Sequence, residues 1–506
     1  MPETNTLIFA VSFTVYSLAI VAVGVYSSRF ARRSDEDYFL ANRSLGKWVA
    51  ALSASASSES GWVTLGLVGM AFTHGVQAYW IIPGCLIGFA FNWFIVAGRL
   101  SDQSRKLGAV TVPDFFAFRF RERFPILRIL CVVVIAVAML LYVAAQFAAA
   151  GKSFSASFDN VEYRYGVLLG ALIVLAYTVS GGFRAVCWTD FLQALLMVGA
   201  LAIFPIYLLC IEGGYGFITD KLGSASAELL QFTPDATMWA LVGFLLGHTA
   251  LGVNFGYPGQ PHVLIRFMAL KSRKEAMFGG VIALCWGALV YWGAVTVGLI
   301  ARAMLIEGAE WTSALAGTDG EQGLVLAARY MLPGVVSGVV LAAVLAAICS
   351  TADSQLVVAA SAIANDIYAR LFSKAGKADH LFVDRLTVFV LGALAALLVY
   401  DRNVQVYKYV LFYGWAFLGA SFGPQLILAL FWKRASYAGC IAGMVVGFAV
   451  AIIWPNVYDE AATGVHVYNL PLAFVCAFVV NVIVSLAFPS ARGGLQDIEP
   501  LSSDAT

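Results

Sequence analysis

Thirteen apolar segments follow one another along this 506-residue chain, near positions 5–27, 46–72, 77–98, 126–151, 163–181, 190–211, 237–258, 276–305, 333–364, 383–400, 406–431, 437–454 and 466–488. A helix crossing a bilayer needs about 20 mostly apolar residues, and these segments supply that length or close to it. The expected fold class is therefore an all-α polytopic membrane protein. Composition excludes the soluble alternatives: 61% of residues are hydrophobic and 12% charged, against about 25% charged in a soluble domain. A net charge of +1 gives no reason to expect a nucleic-acid partner. The first segment is read as a span and not as a cleaved leader, because its opening residues, MPETNT, are acidic and no small-residue cleavage site follows.

Orientation follows from Lys and Arg, which stay on the cytoplasmic side. With the N-terminus outside, 24 of the 31 basic residues fall in cytoplasmic segments, Arg43, Arg128, Arg266 and Arg370 among them. Thirteen spans with N outside and C inside is the expectation. No linker or change of composition divides the chain, so residues 1–506 read as a single membrane domain.

Two spans carry interruptions that a lipid-facing helix would not. One is L-S-A-S-A-S-S-E-S-G-W, Leu52 to Trp62, where five serines crowd around Glu59. A carboxylate at the centre of a spanning helix costs about 2.5–3.5 kcal/mol, so lipid is not its neighbour. The other is H-T-A-L-G-V-N-F-G-Y-P-G-Q-P-H, His248 to His262, with three glycines and two prolines. Proline removes a backbone donor and clashes with the preceding turn, and irregular backbone at membrane depth is tolerated only in protein or beside a cavity. Paired breaks in corresponding spans point to a transport site between inverted repeats. The division that follows is 1–43 for the first span and loop, 44–211 and 236–432 for the two repeats, 433–489 for two further spans and 490–506 for a cytoplasmic tail.

The ninth segment places Ser350, Thr351, Asp353 and Ser354 within about one turn. Hydroxyl and carboxylate oxygens suit small hard cations, and a sodium ion there would also use carbonyls freed by a nearby break. Asp190 reads either as a helix N-cap or as part of the site. Glu59 reads either as a ligand for a cation or a substrate amine, or as a satisfied buried acid. Asp366 and Arg370 read as interfacial.

These residues, with D-E-D-Y-F-L-A-N-R-S-L-G, V-A-G-R-L, V-P-D-F-F-A-F-R-F, W-T-D-F-L-Q, G-Q-P-H-V-L-I-R-F-M-A, S-T-A-D-S-Q-L and F-G-P in one order, resemble the sodium:solute symporter family, in particular its sodium/proline symporter branch. The resemblance implies a LeuT-type repeat of five plus five helices. It implies a sodium site formed by the carbonyls of Ala56, Glu59 and Ala347 and the hydroxyls of Ser350 and Thr351. A second sodium position found in some members would map to Asp190, Ser350, Asp353 and Ser354. The substrate residues it implies are Trp62, Tyr142, Tyr257 and Trp415, with Gln260 as a polar contact. At two places the pattern departs: Ser58 and Glu59 stand where the proline branch has Asp followed by an apolar residue, and Val253 where it has Trp.

The expected function is sodium-coupled import of proline or a similar small amino acid by alternating access, in a bacterial inner membrane. Na+ is the coupling ion, the lipid bilayer and the solute are the partners, and no organic cofactor or enzymatic activity is expected. Two alternatives stay open: a sodium symporter for a betaine-like solute or a carboxylate, and a transporter-like solute sensor.

Overall fold

The computed structural model describes residues 40–178, 183–234, 237–368, 377–458 and 467–489, with isolated positions between 11 and 22. Most of the apolar segment at 5–27, with the whole tail 490–506, lies outside the described residues. Everything described is helix or connection, apart from one parallel backbone bridge between Leu45 and Leu270. Among the described residues, nine helices are long and apolar enough to cross a membrane.

The helices that build the centre are α1 (Lys47–Ser58), α2 (62–74), α3 (81–107), α4 (Val112–Arg119), α5 (Ile126–Ser157), α6 (Tyr163–Thr178) and α7 (Phe183–Ile211). After the peripheral α8 (Gly214–Ala225) come α9 (Met238–Leu245), α10 (Pro261–Met268), α11 (Arg273–Glu307), α12 (Gly323–Met331) and α13 (Gly334–Tyr368). The chain closes with α14 (Lys377–Val399), α15 (Val406–Phe431), α16 (Tyr437–Val457) and α17 (Asn469–Ala487).

Both interruptions are real breaks. α1 stops at Ser58, Glu59 takes φ −103° and ψ 76°, and a wide π-type turn over Trp62–Leu67 restarts the helix. In the second, α9 ends at Leu245, a tight 3-10 stretch covers Leu251–Gly259 with Pro258 inside it, and Pro261 opens α10. A proline in a first turn costs nothing there, since its missing N–H would have no intrahelical partner.

The two broken elements lie side by side: α1 packs against α10, α11, α13 and the first half of α7, while the 3-10 stretch packs against α3 and α15. The chains flanking them are joined, Leu45 N donating to Ala269 O at 3.1 Å and Lys271 N to Leu45 O at 3.0 Å. Close approach is set by glycine. A Cβ on Gly256 would fall 1.9 Å from Trp415 Nε1, so only a glycine lets the 3-10 stretch reach α15. A Cβ on Gly293 of α11 would fall 1.5 Å from Leu201 O of α7. Gly293→Ala therefore forces two helices apart, and overpacking of this kind costs about 1–3 kcal/mol or more. The expected outcome is a drop of several degrees in the thermal midpoint of the purified protein; an unchanged midpoint would show that the helices part freely.

Candidate functional site

α13 carries the hydroxyl-rich turn into the middle of the bundle and aims it at the end of α1. Ser350 Oγ donates to Ala56 O at 3.0 Å and to Ala347 O at 3.1 Å. Thr351 Oγ1 donates to Ala56 O at 3.3 Å and to Ser57 O at 3.0 Å. Both side chains are fully buried. The carbonyls are available because the helix breaks: Gly61 N, which an unbroken helix would direct to Ser57 O, donates instead to Gln146 Oε1 at 2.9 Å. Gln146 Nε2 also donates to Ser60 Oγ at 3.2 Å, so one glutamine on α5 clamps the break. Ala56, Ala347, Ser350 and Thr351 thus come together as the resemblance implies, and Ser57 O joins them. Among these hydrogen bonds none runs through the Glu59 carbonyl.

Of the residues assigned to a second sodium, Asp190 and Ser354 bond a guanidinium, that of Arg266. Arg266 Nη2 lies 2.7 Å from Asp190 Oδ2 and donates to Ser354 Oγ at 2.6 Å, and Arg266 Nε donates to Ser53 Oγ at 2.8 Å. Ser53 and Ser57 also donate to Asp190 Oδ2, at 2.6 and 3.1 Å, and Ser354 Oγ donates to Asp353 Oδ1 at 3.3 Å. Arg266 is completely buried. A buried acid on α7 holds it inside the protein, since an uncompensated charge there would cost several kcal/mol. Asp190 is no N-cap; it sits in the eighth position of α7, facing Arg266.

The aromatic residues meet on the other side of the break. Tyr257 lies edge-on to Trp415 with centroids 4.7 Å apart, and to Phe89 at 5.2 Å. Tyr291 approaches Phe89 at 6.2 Å and Trp62 at 6.4 Å. Tyr142 packs beneath Gly414, and its ring is 6.1 Å from His262. All the implied substrate residues are buried, but several of their polar atoms serve the broken backbone. Trp415 Nε1 donates to Val253 O at 3.0 Å, Gln260 Nε2 to Gly256 O at 3.0 Å and Trp415 O at 3.2 Å, and Trp62 Nε1 to Ser58 O at 3.3 Å. Buried carbonyls need such donors. Asn92 Nδ2, which the sequence pattern does not single out, supplies another to Tyr257 O at 2.8 Å. Tyr291 escapes the pattern in the same way; a lone polar atom in an apolar helix is the available signal for each.

Charge networks lock opposite ends of α5. At its start, Arg128 pairs with Asp366 at 2.7 Å, with Asp114 in a shorter contact, and with Glu122 at 3.4 Å, while Thr111 Oγ1 donates to Asp366 Oδ2 at 2.8 Å. Asp366 is buried in the protein, where Arg128 compensates it; Arg370 lies outside the described residues. Near the other end Lys152 pairs with Glu321 at 2.5 Å and Asp319 at 3.1 Å. Arg128→Met leaves three neighbouring acids without this cation, at a cost of about 3–5 kcal/mol. Amide exchange in Val112–Arg119 is expected to rise at least tenfold, and unaltered exchange would show that Arg128 does not hold this end shut.

The profile of the sodium:solute symporter family matches residues 38–447. The chain is 33% identical over 479 residues to the osmoregulated proline transporter OpuE of Bacillus subtilis, covering 94% of each protein. It is 35% identical over 482 residues to the sodium/proline symporter of Haemophilus influenzae, again covering 94% of both. Its fold is shared with a Na+-coupled sialic acid symporter captured substrate-bound and outward-open, at a TM-score of 0.76, 20% identity and coverage of 96% of this chain and 99% of that one. Long apolar helices, two facing breaks and this end-to-end likeness converge: the chain is a multi-pass membrane protein that belongs to the sodium:solute symporter family.

Proposed function

We propose that this protein couples sodium entry to the uptake of proline, and that the ion binds where Ser350 and Thr351 face the carbonyls of Ala56, Ser57 and Ala347. The observation that carries this reading is that pair of hydroxyls reaching across to carbonyls freed by the break in α1. Each hydroxyl donates a hydrogen bond to a carbonyl; turned about its C–O bond, it presents a lone pair, and a desolvated monovalent cation replaces the donors the carbonyls lose. The Glu59 carbonyl completes the set. Proline as cargo rests on relatives whose names record proline transport, and the aromatic group of Trp62, Tyr142, Tyr257 and Trp415 with Gln260 forms its pocket.

The five-plus-five inverted repeat over 44–211 and 236–432, thirteen spans with the N-terminus outside, and residence in a bacterial inner membrane belong to the same reading. Arg266, with Asp190 and Ser354, supplies a fixed positive charge in place of a second sodium, so one ion per solute is the stoichiometry. One ion suffices: a cation moving down ~100 mV releases about 2.3 kcal/mol, and a tenfold sodium gradient adds about 1.4 kcal/mol. Alternation between faces then uses the charge networks at the two ends of α5, each of which has to part when its side opens.

Uptake of labelled proline into proteoliposomes is the test. An inward sodium gradient is expected to drive accumulation that collapses when sodium is replaced by choline; uptake indifferent to sodium would reject the coupling. Two sodium ions entering per proline would reject the single-ion stoichiometry. Val253, with Ser58 and Glu59, favours a second reading in which another small solute is the preferred cargo, and competition of a solute panel against proline uptake separates the two.

A further inference from the structure

We infer that the Glu59 side chain is the counter-charge for a positively charged nitrogen on the solute, held among the aromatic rings around it. This deepens the proposed function and rests on it. Glu59 is completely buried. Its Oε1 accepts from Ser58 Oγ at 3.0 Å and from Tyr257 Oη at 3.1 Å, and Tyr291 Oη lies 3.1 Å from Tyr257 Oη. Its Oε2 is buried with no hydrogen-bond partner among the described residues.

The contrast with three other buried acids of this chain carries the argument. Asp190 has Arg266 at 2.7 Å, Asp366 has Arg128 at 2.7 Å and Glu321 has Lys152 at 2.5 Å. Glu59 forms no ion pair among the described residues, although the interior penalises an uncompensated carboxylate as severely there as elsewhere. Hydroxyl donors on one oxygen satisfy half of it and neutralise none of it. The remaining oxygen is the place for a donor that also brings charge, and the C-terminal end of α1 beside it adds the negative end of a helix dipole.

The surroundings suit the same ligand. Tyr257, Tyr291, Phe89, Trp62 and Trp415 form a continuous aromatic group, with successive centroids 4.7–6.4 Å apart, and ring faces attract organic cations. An amino-acid nitrogen, charged and carried on an apolar frame, meets both requirements. A solute of the same shape without that nitrogen leaves Glu59 unsatisfied, and rejection of ligands lacking a needed polar group is steep. The position lies three residues from Ala56, so ion and amine use the two sides of one break.

The experiment measures sodium-driven proline uptake in proteoliposomes of the full-length wild type, Glu59→Gln and Glu59→Asp, with cyclopentanecarboxylate, the same ring without nitrogen, as competitor. In the wild type the competitor is expected to be at least a hundredfold weaker than proline. Glu59→Gln should raise the proline KM at least tenfold, shrink that discrimination below tenfold and move the sodium dependence less than threefold. Glu59→Asp, which keeps the charge, should keep the preference for proline and so separates loss of charge from loss of folding. Unchanged KM and discrimination in Glu59→Gln, or loss of the preference in a well-folded Glu59→Asp, would overturn the assignment while leaving sodium-coupled transport intact. Absence of wild-type proline uptake would overturn the underlying reading and this assignment with it.

Discussion

Arg266→Met will destabilise this protein by about 3–5 kcal/mol, the cost of breaking a buried ion pair from one side. The guanidinium is completely buried and bonds Asp190, Ser354 and Ser53 at 2.6–2.8 Å, tying α10 to α1, α7 and α13. Removing it leaves the Asp190 carboxylate buried among hydroxyls with no counter-charge. Against total stabilities of about 5–15 kcal/mol, that is a large share. The purified variant should therefore melt many degrees below the wild type. Because the penalty belongs to the orphaned charge, Asp190→Asn in the same chain should restore most of the loss, and the double variant should melt well above Arg266→Met. Equal melting of the single and double variants would mean that the pair is not what holds these four helices together.

Ser350→Ala and Thr351→Ala will each weaken apparent sodium affinity by roughly 10- to 150-fold. That range follows from about 1.5–3 kcal/mol for a polar contact to a charged group at 1.4 kcal/mol per tenfold. The cavity left by a deleted hydroxyl, with one methyl more at Thr351, is small, so folding should survive. At saturating sodium the proline affinity should change less than threefold, because the deleted atoms bind the ion and not the solute. At low sodium the variants should also lose proline affinity, since each ligand must raise the affinity of the other by one common factor. Rates measured across a sodium series in proteoliposomes resolve the two regimes. Unaltered sodium dependence in both variants would remove the hydroxyls from the ion site.

Much of this architecture is written locally in the chain. The helices follow apolar runs, and both breaks stand out because serine clusters, glycine and proline disrupt a helix wherever they occur. That the turn at 350 meets the break at 57 is legible only through the pairing of hard oxygen ligands with freed carbonyls, and the hydrogen bonds of Ser350 and Thr351 join those two places. What stays hidden is long-range charge. Arg266 and Arg128 read only as members of cytoplasmic segments, because a basic residue near the end of an apolar segment usually lies on that side. An acid 76 positions away decides the burial of Arg266, and one 238 positions away joins the nearer Glu122 and Asp114 around Arg128; no local spacing encodes the distant partners. The bonds of Trp415 and Gln260 to backbone carbonyls are not legible either, since these depend on the path of the 3-10 stretch.

The most direct measurement is equilibrium binding of labelled proline to purified protein, with and without sodium, in the wild type and in Ser350→Ala/Thr351→Ala. Sodium is expected to tighten proline binding at least tenfold in the wild type and to have almost no effect in the double variant. The same sodium stimulation in both proteins would contradict a cation held between the end of α1 and the hydroxyl turn of α13.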